Sequence, residues 1–267
     1  NNNKIYSDFY KNDIGNGYNY NRTYSQVYGN LIGNGFAWNV IYSSLYDNKI
    51  GEYFYNNDIG DLANRYSLEF NNNLIDNSFS SNQIRNNFRH NRIGNQFNNN
   101  ALNGSFYRNS IGNQFQNNTA GHDFQNNNIG ESFYNNLIDS DFRNNTIAGN
   151  FNLNLFINNY FNDNFIGSDF YGNIITQNFY NNEIGYGFDN NSISGETHNN
   201  RIGDQFENNT IYDDFYDNQI FNEFKGNMIY GTFYLNKTDW AFASNEITGS
   251  CFSNTFGPYI NSNNFLG

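Results

Sequence analysis

The sequence predicts an all-β fold, a parallel β-solenoid (β-helix) of about 18 residues per coil, and three observations carry the prediction. A nine-residue unit, N-N-x-I-G-x-x-F-x, recurs along nearly the whole chain. Large apolar residues alternate at spacings of four and five, as in Ile138, Phe142, Ile147 and Phe151. The residue after the aliphatic position alternates too, reading Tyr6, Gly15, Tyr24, Gly33, Tyr42 and Gly51, so two nonapeptides with unlike surroundings make one coil.

Each position of the unit has a physical reason. A four-then-five spacing drifts around a helix and holds no stripe. Asn also disfavours helix, because its amide competes for backbone partners. In strands, side chains alternate between faces, so the Asn and Ile of N-x-I point the same way, and Phe lies beyond a corner at the Gly. Two short strands per nonapeptide follow. Gly and the Asn-Asn pair suit corners because both tolerate left-handed backbone.

The Asn two residues before the aliphatic position is the most constant feature, and it includes Asn64 and Asn73. Stacked coils would place Asn30, Asn48, Asn91, Asn109, Asn127, Asn145, Asn182, Asn200 and Asn218 in a structural ladder, each amide donating to and accepting from its counterparts. The expected organisation is one continuous solenoid over 1–253 and a non-repeat tail over 254–267. Irregularities fall near 60–66, where two residues are missing between Ile59 and Tyr66, and near 156–162, where one is extra. A second extra residue precedes Phe252.

Composition narrows the function classes. With 28 Phe and 22 Tyr against 14% charged residues, the chain is not a solvated disordered one. A formal net charge of −12 argues against nucleic acid as partner, and the single Cys251 rules out an intrachain disulfide framework. No run of 18 apolar residues exists, so no membrane insertion is expected. The opening Asn1-Asn2-Asn3 is not a signal peptide, and the chain reads as a mature product or a piece of something longer.

On these repeats the chain resembles segments of bacteriophage tail-fibre proteins and of bacterial surface proteins, which carry Asn-rich tracts of I-G-x-x-F type. It is more loosely similar to pentapeptide-repeat proteins, which suggest four-cornered coils, and to calcium β-rolls, which share the period. The G-G-x-G-x-D signature of the β-rolls is absent here, so no metal or cofactor is expected.

No catalytic constellation is expected either. His90, His122 and His198 are far apart in coil number, and the carboxylates Glu207, Asp213, Asp214 and Asp217 read as outward solubilising groups. Cys251 reads as a packed small residue. The sharper candidate is an interaction surface of tyrosines 18 apart: Tyr6, Tyr24 and Tyr42; Tyr10, Tyr28 and Tyr46; Tyr212 and Tyr230; Tyr216 and Tyr234. The leading expectation is a non-enzymatic structural rod, a shaft or fibre segment of an extracellular filament, viral appendage or surface adhesin, partnered by itself or by other fibre subunits. Two alternatives are a glycan-binding module using the tyrosine columns and an acidic DNA mimic.

Overall fold

The computed structural model describes residues 2–61, 68–157 and 160–267. The described residues form short parallel strands and no helix. They fall into two compact units, 1–139 and 140–267, each a β-solenoid.

In unit 1 the first coil has four sides, Lys4–Ile5, Phe9–Tyr10, Asp13–Ile14 and Tyr18–Asn19. Each side pairs with its counterpart one coil on: Lys4 with Arg22, Phe9 with Val27, Asp13 with Leu31 and Tyr18 with Phe36. The coil is therefore 18 residues, the separation of the paired ladder residues. A two-residue side has one residue facing in and one facing out, which is why a single Ile or Phe per side suffices for the core.

The interior consists of columns of like residues. Ile75, Phe79, Ile84 and Phe88 are all fully buried in unit 1, as are Ile202, Phe206, Ile211 and Phe215 in unit 2. Within a column the Phe rings stack, with 4.7 Å between the centroids of Phe79 and Phe97 and 4.9 Å between Phe97 and Phe115. The two Phe columns meet edge to face, at 77° between Phe88 and Phe97. Both arrangements suit the ring quadrupole better than a face-to-face sandwich.

Two columns of buried Asn complete the interior. Asn30 donates through both its backbone N–H and its Nδ2 to Asn48 Oδ1, at 3.1 and 3.0 Å. Asn48 Nδ2 in turn donates to Asn73 Oδ1 and to the Val27 carbonyl, at 3.1 and 3.0 Å. The pattern repeats through Asn91, Asn109 and Asn127, at 3.2 and 3.1 Å. In unit 2 it links Asn145 to Asn164, Asn182 to Asn200 and Asn200 to Asn218, at 3.2, 3.1 and 2.9 Å. Every amide group in such a column has a partner, so the burial of polar atoms costs little.

The corners correct the expected role of Gly. Left-handed backbone is carried by the residue just before each ladder Asn, as at Asn99, Asn117 and Asn126, with φ of 58°, 55° and 57°, and in one half-coil also by the residue just before the inward Phe, as at Gly35, Ser78 and Gln96, with φ of 84°, 61° and 69°. The Asn-Asn pair thus divides its work: the first Asn turns the corner and the second enters the ladder. Gly33 and Gly51, which follow the aliphatic residue, are not among the left-handed positions. They are small for a different reason, since a Cβ there would overlap Asn16 Oδ1 or Asn34 Oδ1 of the preceding coil.

Those outer Asn form a further ladder that the repeat reading missed. Asn34 N–H donates to Asn16 Oδ1 at 2.8 Å, and Glu52 N–H to Asn34 Oδ1 at 2.9 Å. The same bonds join Asn95 to Asn77 and Asn113 to Asn95, each at 2.9 Å. The other half-coil carries Tyr-Ser at this corner, as in Tyr24-Ser25 and Tyr42-Ser43, a large side chain where its twin carries Gly33 and Gly51. The outer Asn of the preceding coil thus accounts for Gly33 and Gly51 in the Gly/Tyr alternation.

Two of the three expected irregularities change. Leu45 pairs with Phe70 and Ile59 with Ile84, and the ladder steps from Asn57 to Asn82, a separation of 25 residues in place of 18. Seven residues are therefore inserted after Asp61, not two deleted. Asn64 and Tyr66 lie outside the described residues, and the ladder runs from Asn48 to Asn73 and from Asn57 to Asn82 past them. The single extra residue near 156–162 stands, since Asn145 and Asn164 are 19 apart; Asn158 and Asn159 lie outside the described residues.

Towards the end of unit 2 no residue is extra before Phe252. Cys251 pairs with Phe233 and takes the inward aromatic place, while Phe252 pairs with Tyr234 outside. The expected tail over 254–267 is solenoid as well: Lys237 pairs with Thr255, Phe242 with Ile260 and Ile247 with Phe265. Asn236 and Asn245 continue the ladders to Asn254 and Asn263, at 3.2 and 2.9 Å. The repeat is disguised there because aliphatic and aromatic residues exchange places, Phe256 preceding Ile260.

Candidate interaction surface

The outward residue of a side recurs at the same place on every coil, so any like residues 18 apart must stack. In unit 1 this builds one column from Tyr6, Tyr24 and Tyr42, with ring centroids 4.8 and 5.0 Å apart. Tyr10, Tyr28 and Tyr46 build a second, at 5.1 and 4.9 Å. A third column, Tyr20 on Trp38 at 5.0 Å with coplanar orientation, was legible in the same 18-residue offset but not read. Tyr20 and Trp38 adopt φ of 60° and 52°, the left-handed corner where Asn is the usual residue. Bulky rings held there, 51% and 41% exposed, sacrifice local backbone preference for an aromatic surface.

Unit 2 stacks Tyr212 on Tyr230 at 5.4 Å. Its longer column is Tyr180, His198, Tyr216, Tyr234 and Phe252, with successive centroids 5.1, 4.8, 4.8 and 5.2 Å apart. His198 belongs to this stack by position and not by chemistry. Burial between the rings pushes its imidazole below the usual range, while the carboxylates of Glu196 and Asp217 pull the other way. Tyr216 is pushed up to about 12 by burial, by its hydrogen bond to Glu196 and by the Glu196 charge. Its hydroxyl donates to Glu196 Oε2 at 3.1 Å.

The other candidates do not converge on chemistry. Among the described residues no group of three or more His, Cys, Asp or Glu could hold a metal ion. Asp214 Oδ1 accepts from the Thr232 N–H at 2.7 Å and Asp213 Oδ1 from the Asp214 N–H at 2.8 Å, so both serve as corner caps. Glu207 is raised by burial and by its hydrogen bond to Glu223. Burial also raises the Cys251 thiol, whose sulfur accepts from Asn254 Nδ2 at 3.4 Å; a thiol of that kind is a poor nucleophile. His90 sits beside Arg89 and Arg108, and His122 pairs along the strand with Ser105.

The inner rings of a column, such as Tyr24, Tyr28 and Tyr216, are covered above and below by their neighbours and present a strip of ring edges that repeats with the coil, whereas end rings such as Tyr212 and Tyr230 have a stacked neighbour on one side only. The arrangement defines an asparagine-laddered β-solenoid with outward aromatic columns. No protein-family model, curated protein or solved structure matches the chain.

Proposed function

We propose that this protein is a structural element, a shaft or fibre segment of an extracellular filament, viral appendage or surface adhesin, which works by self-association and not by catalysis. The observation that carries the reading is the set of outward aromatic columns whose period equals the coil spacing. A surface of repeated ring edges is matched best by another surface with the same repeat, and a second copy of the chain supplies one. Stacked strands with interdigitating side chains are stable for this reason.

The same geometry weighs against glycan binding. A sugar ring packs on the face of an aromatic ring, and the inner rings of these columns have both faces occupied by neighbouring rings. The test is sedimentation velocity of the full chain with electron microscopy of the same samples. Wild type is expected to form elongated assemblies that Tyr24→Ser with Tyr42→Ser weakens while circular dichroism stays unchanged. A wild-type chain that stays monomeric at all concentrations would overturn the reading.

A further inference from the structure

The tyrosine columns have a chemistry as well as a shape. Both units place one tyrosine just after an inward aliphatic residue and another just after the inward residue that follows, as in Tyr42 and Tyr46 of unit 1 and Tyr212 and Tyr216 of unit 2. In both units a phenol reaches back to a polar side chain of the preceding coil. The Tyr46 hydroxyl donates to Gln26 Oε1 at 2.9 Å, and the Tyr216 hydroxyl to Glu196 Oε2 at 3.1 Å. Tyr6, Tyr10, Tyr24, Tyr42, Tyr212 and Tyr230 are exposed.

Phenols are also the main oxidisable groups of this chain. Against 22 Tyr it holds one Met, Met228, and one Cys, Cys251, both half-buried. Burial raises the Cys251 thiol, which lowers its thiolate content and so its reactivity. When an oxidant removes an electron from a phenol, the proton leaves with it. The Glu196 carboxylate, within hydrogen-bond reach of Tyr216, is placed to take that proton. The phenoxyl radical so formed carries unpaired density on the ring carbons ortho to its oxygen.

Two neighbours in one column cannot join through those carbons. A bond between ortho carbons sets two rings edge to edge and leaves their Cβ atoms farther apart than the parallel strand spacing of about 4.8 Å. Stacked neighbours such as Tyr6 and Tyr24 are held face to face, 4.8 Å apart, beside paired strands. Their free edges point outward, where a ring of another copy can meet them.

We propose that the tyrosine columns are sites of oxidative cross-linking, at which a one-electron oxidant joins column tyrosines of different copies through dityrosine bonds. The inference rests on the self-association reading and adds a covalent step to it. Two phenols each lose one electron and one proton, and the two radicals form a carbon–carbon bond between ortho positions. The hydrogens on those carbons move to the oxygens and restore both phenols. The two electrons and two protons reduce one hydrogen peroxide to two waters, with a haem peroxidase as the co-reactant that passes the electrons one at a time. Association holds the rings of two copies together, so coupling is effectively unimolecular. Because either unit carries columns, links extend into oligomers and do not stop at a dimer.

The experiment uses the full chain in a Cys251→Ser background. Equal amounts of heavy-isotope and light-isotope chains are mixed before assembly, checked by sedimentation velocity, oxidised with hydrogen peroxide and a haem peroxidase, and mapped by mass spectrometry. Dityrosine emission is expected, with a ladder of covalent oligomers that survives denaturation and column peptides that join heavy chains to light ones. Tyr→Phe at every column tyrosine keeps the rings and their stacking, so association persists while the yield of links falls at least about tenfold. If the unoxidised chain does not associate, the self-association reading falls and this inference with it. If it associates but the links are absent, confined to single chains, or undiminished in the Phe variant, cross-linking falls and self-association stands. Should the Phe variant lose its circular dichroism, the wild-type map decides alone. Links on column tyrosines bear the inference out, and links mainly on exposed tyrosines outside the columns, such as Tyr53 and Tyr186, overturn it.

Discussion

The two interruptions of the nine-residue frame differ sevenfold in size, yet the interior crosses them identically. After Asp61 in unit 1 seven residues are added, and the ladder still joins Asn57 to Asn82 at 3.0 Å. Near Phe156 in unit 2 one residue is added, and Asn154 joins Asn173 at 3.0 Å. An uninterrupted step, Asn100 to Asn118, measures 3.0 Å too. The columns fix which residues pair on either side of an interruption, and extra chain length between paired residues costs little.

What surrounds the two sites is unlike. The larger insertion is flanked by the Arg85–Asp58 and Arg89–Glu69 ion pairs, with Gly60 at φ 110°. The smaller adjoins a misfit in the core, where Phe156 occupies an aliphatic position and meets Phe142 and Phe161, each at 4.9 Å. There the extra residue accompanies a side chain larger than its column normally holds. One interruption is set between ion-paired strands and the other accommodates core volume.

That contrast can be broken in steps. Phe156→Ala should have the largest effect, on the order of 3 to 5 kcal/mol in urea unfolding, because it empties a buried ring beside three others. Phe156→Ile should cost less than about 1.5 kcal/mol, since it restores the column's usual residue; an equal loss in both would contradict the accommodation. Next, Asn57→Ala, Asn154→Ala and Asn100→Ala should each cost about 1 to 3 kcal/mol, leaving a ladder neighbour unpaired. A markedly smaller loss for Asn57 or Asn154 would mean that the ladder is weaker across an interruption. Removing residues 62–68, which restores an 18-residue step, should change stability by only about 1 kcal/mol or less. Failure of that deletion to fold would show that the insertion is not expendable.

The alkaline limb offers a check on the outer columns. The Tyr216 phenol is raised in the folded chain to about 12, from an ordinary value of 10.0. The stability it contributes is therefore complete below pH 10 and is lost as pH rises towards 12. Tyr216→Phe should flatten that part of the stability profile, as followed by circular dichroism.

Much of this was legible because periodicity is a direct image of stacking. The coil length, the inward Ile and Phe, and the ladder Asn follow from spacing alone. The misreadings have specific causes. Asn64 and Tyr66 imitate a shortened unit, so a linear count saw a deletion where strand pairing requires an insertion. The final coils were passed over because Phe256 and Ile260 exchange the roles of aliphatic and aromatic, though either residue fills a column. Gly33 looked like a left-handed turn, and only the stacked Asn16 beneath it reveals the true constraint. Column membership of His198 and Trp38 was available from the offset but hidden by their chemistry.

Disulfide trapping in a Cys251→Ser background tests the stacking itself. Parallel neighbours on adjacent coils lie within disulfide range, and residues on opposite sides of a coil do not. Ser110→Cys with Asn128→Cys, paired across one coil, and Lys49→Cys with Leu74→Cys, paired across the seven-residue insertion, should both oxidise readily to intrachain disulfides. Lys49→Cys with Asp58→Cys, on different sides of one coil, should not. Bridging of the last pair, or failure of the Lys49 and Leu74 pair, would contradict the coil assigned to this chain.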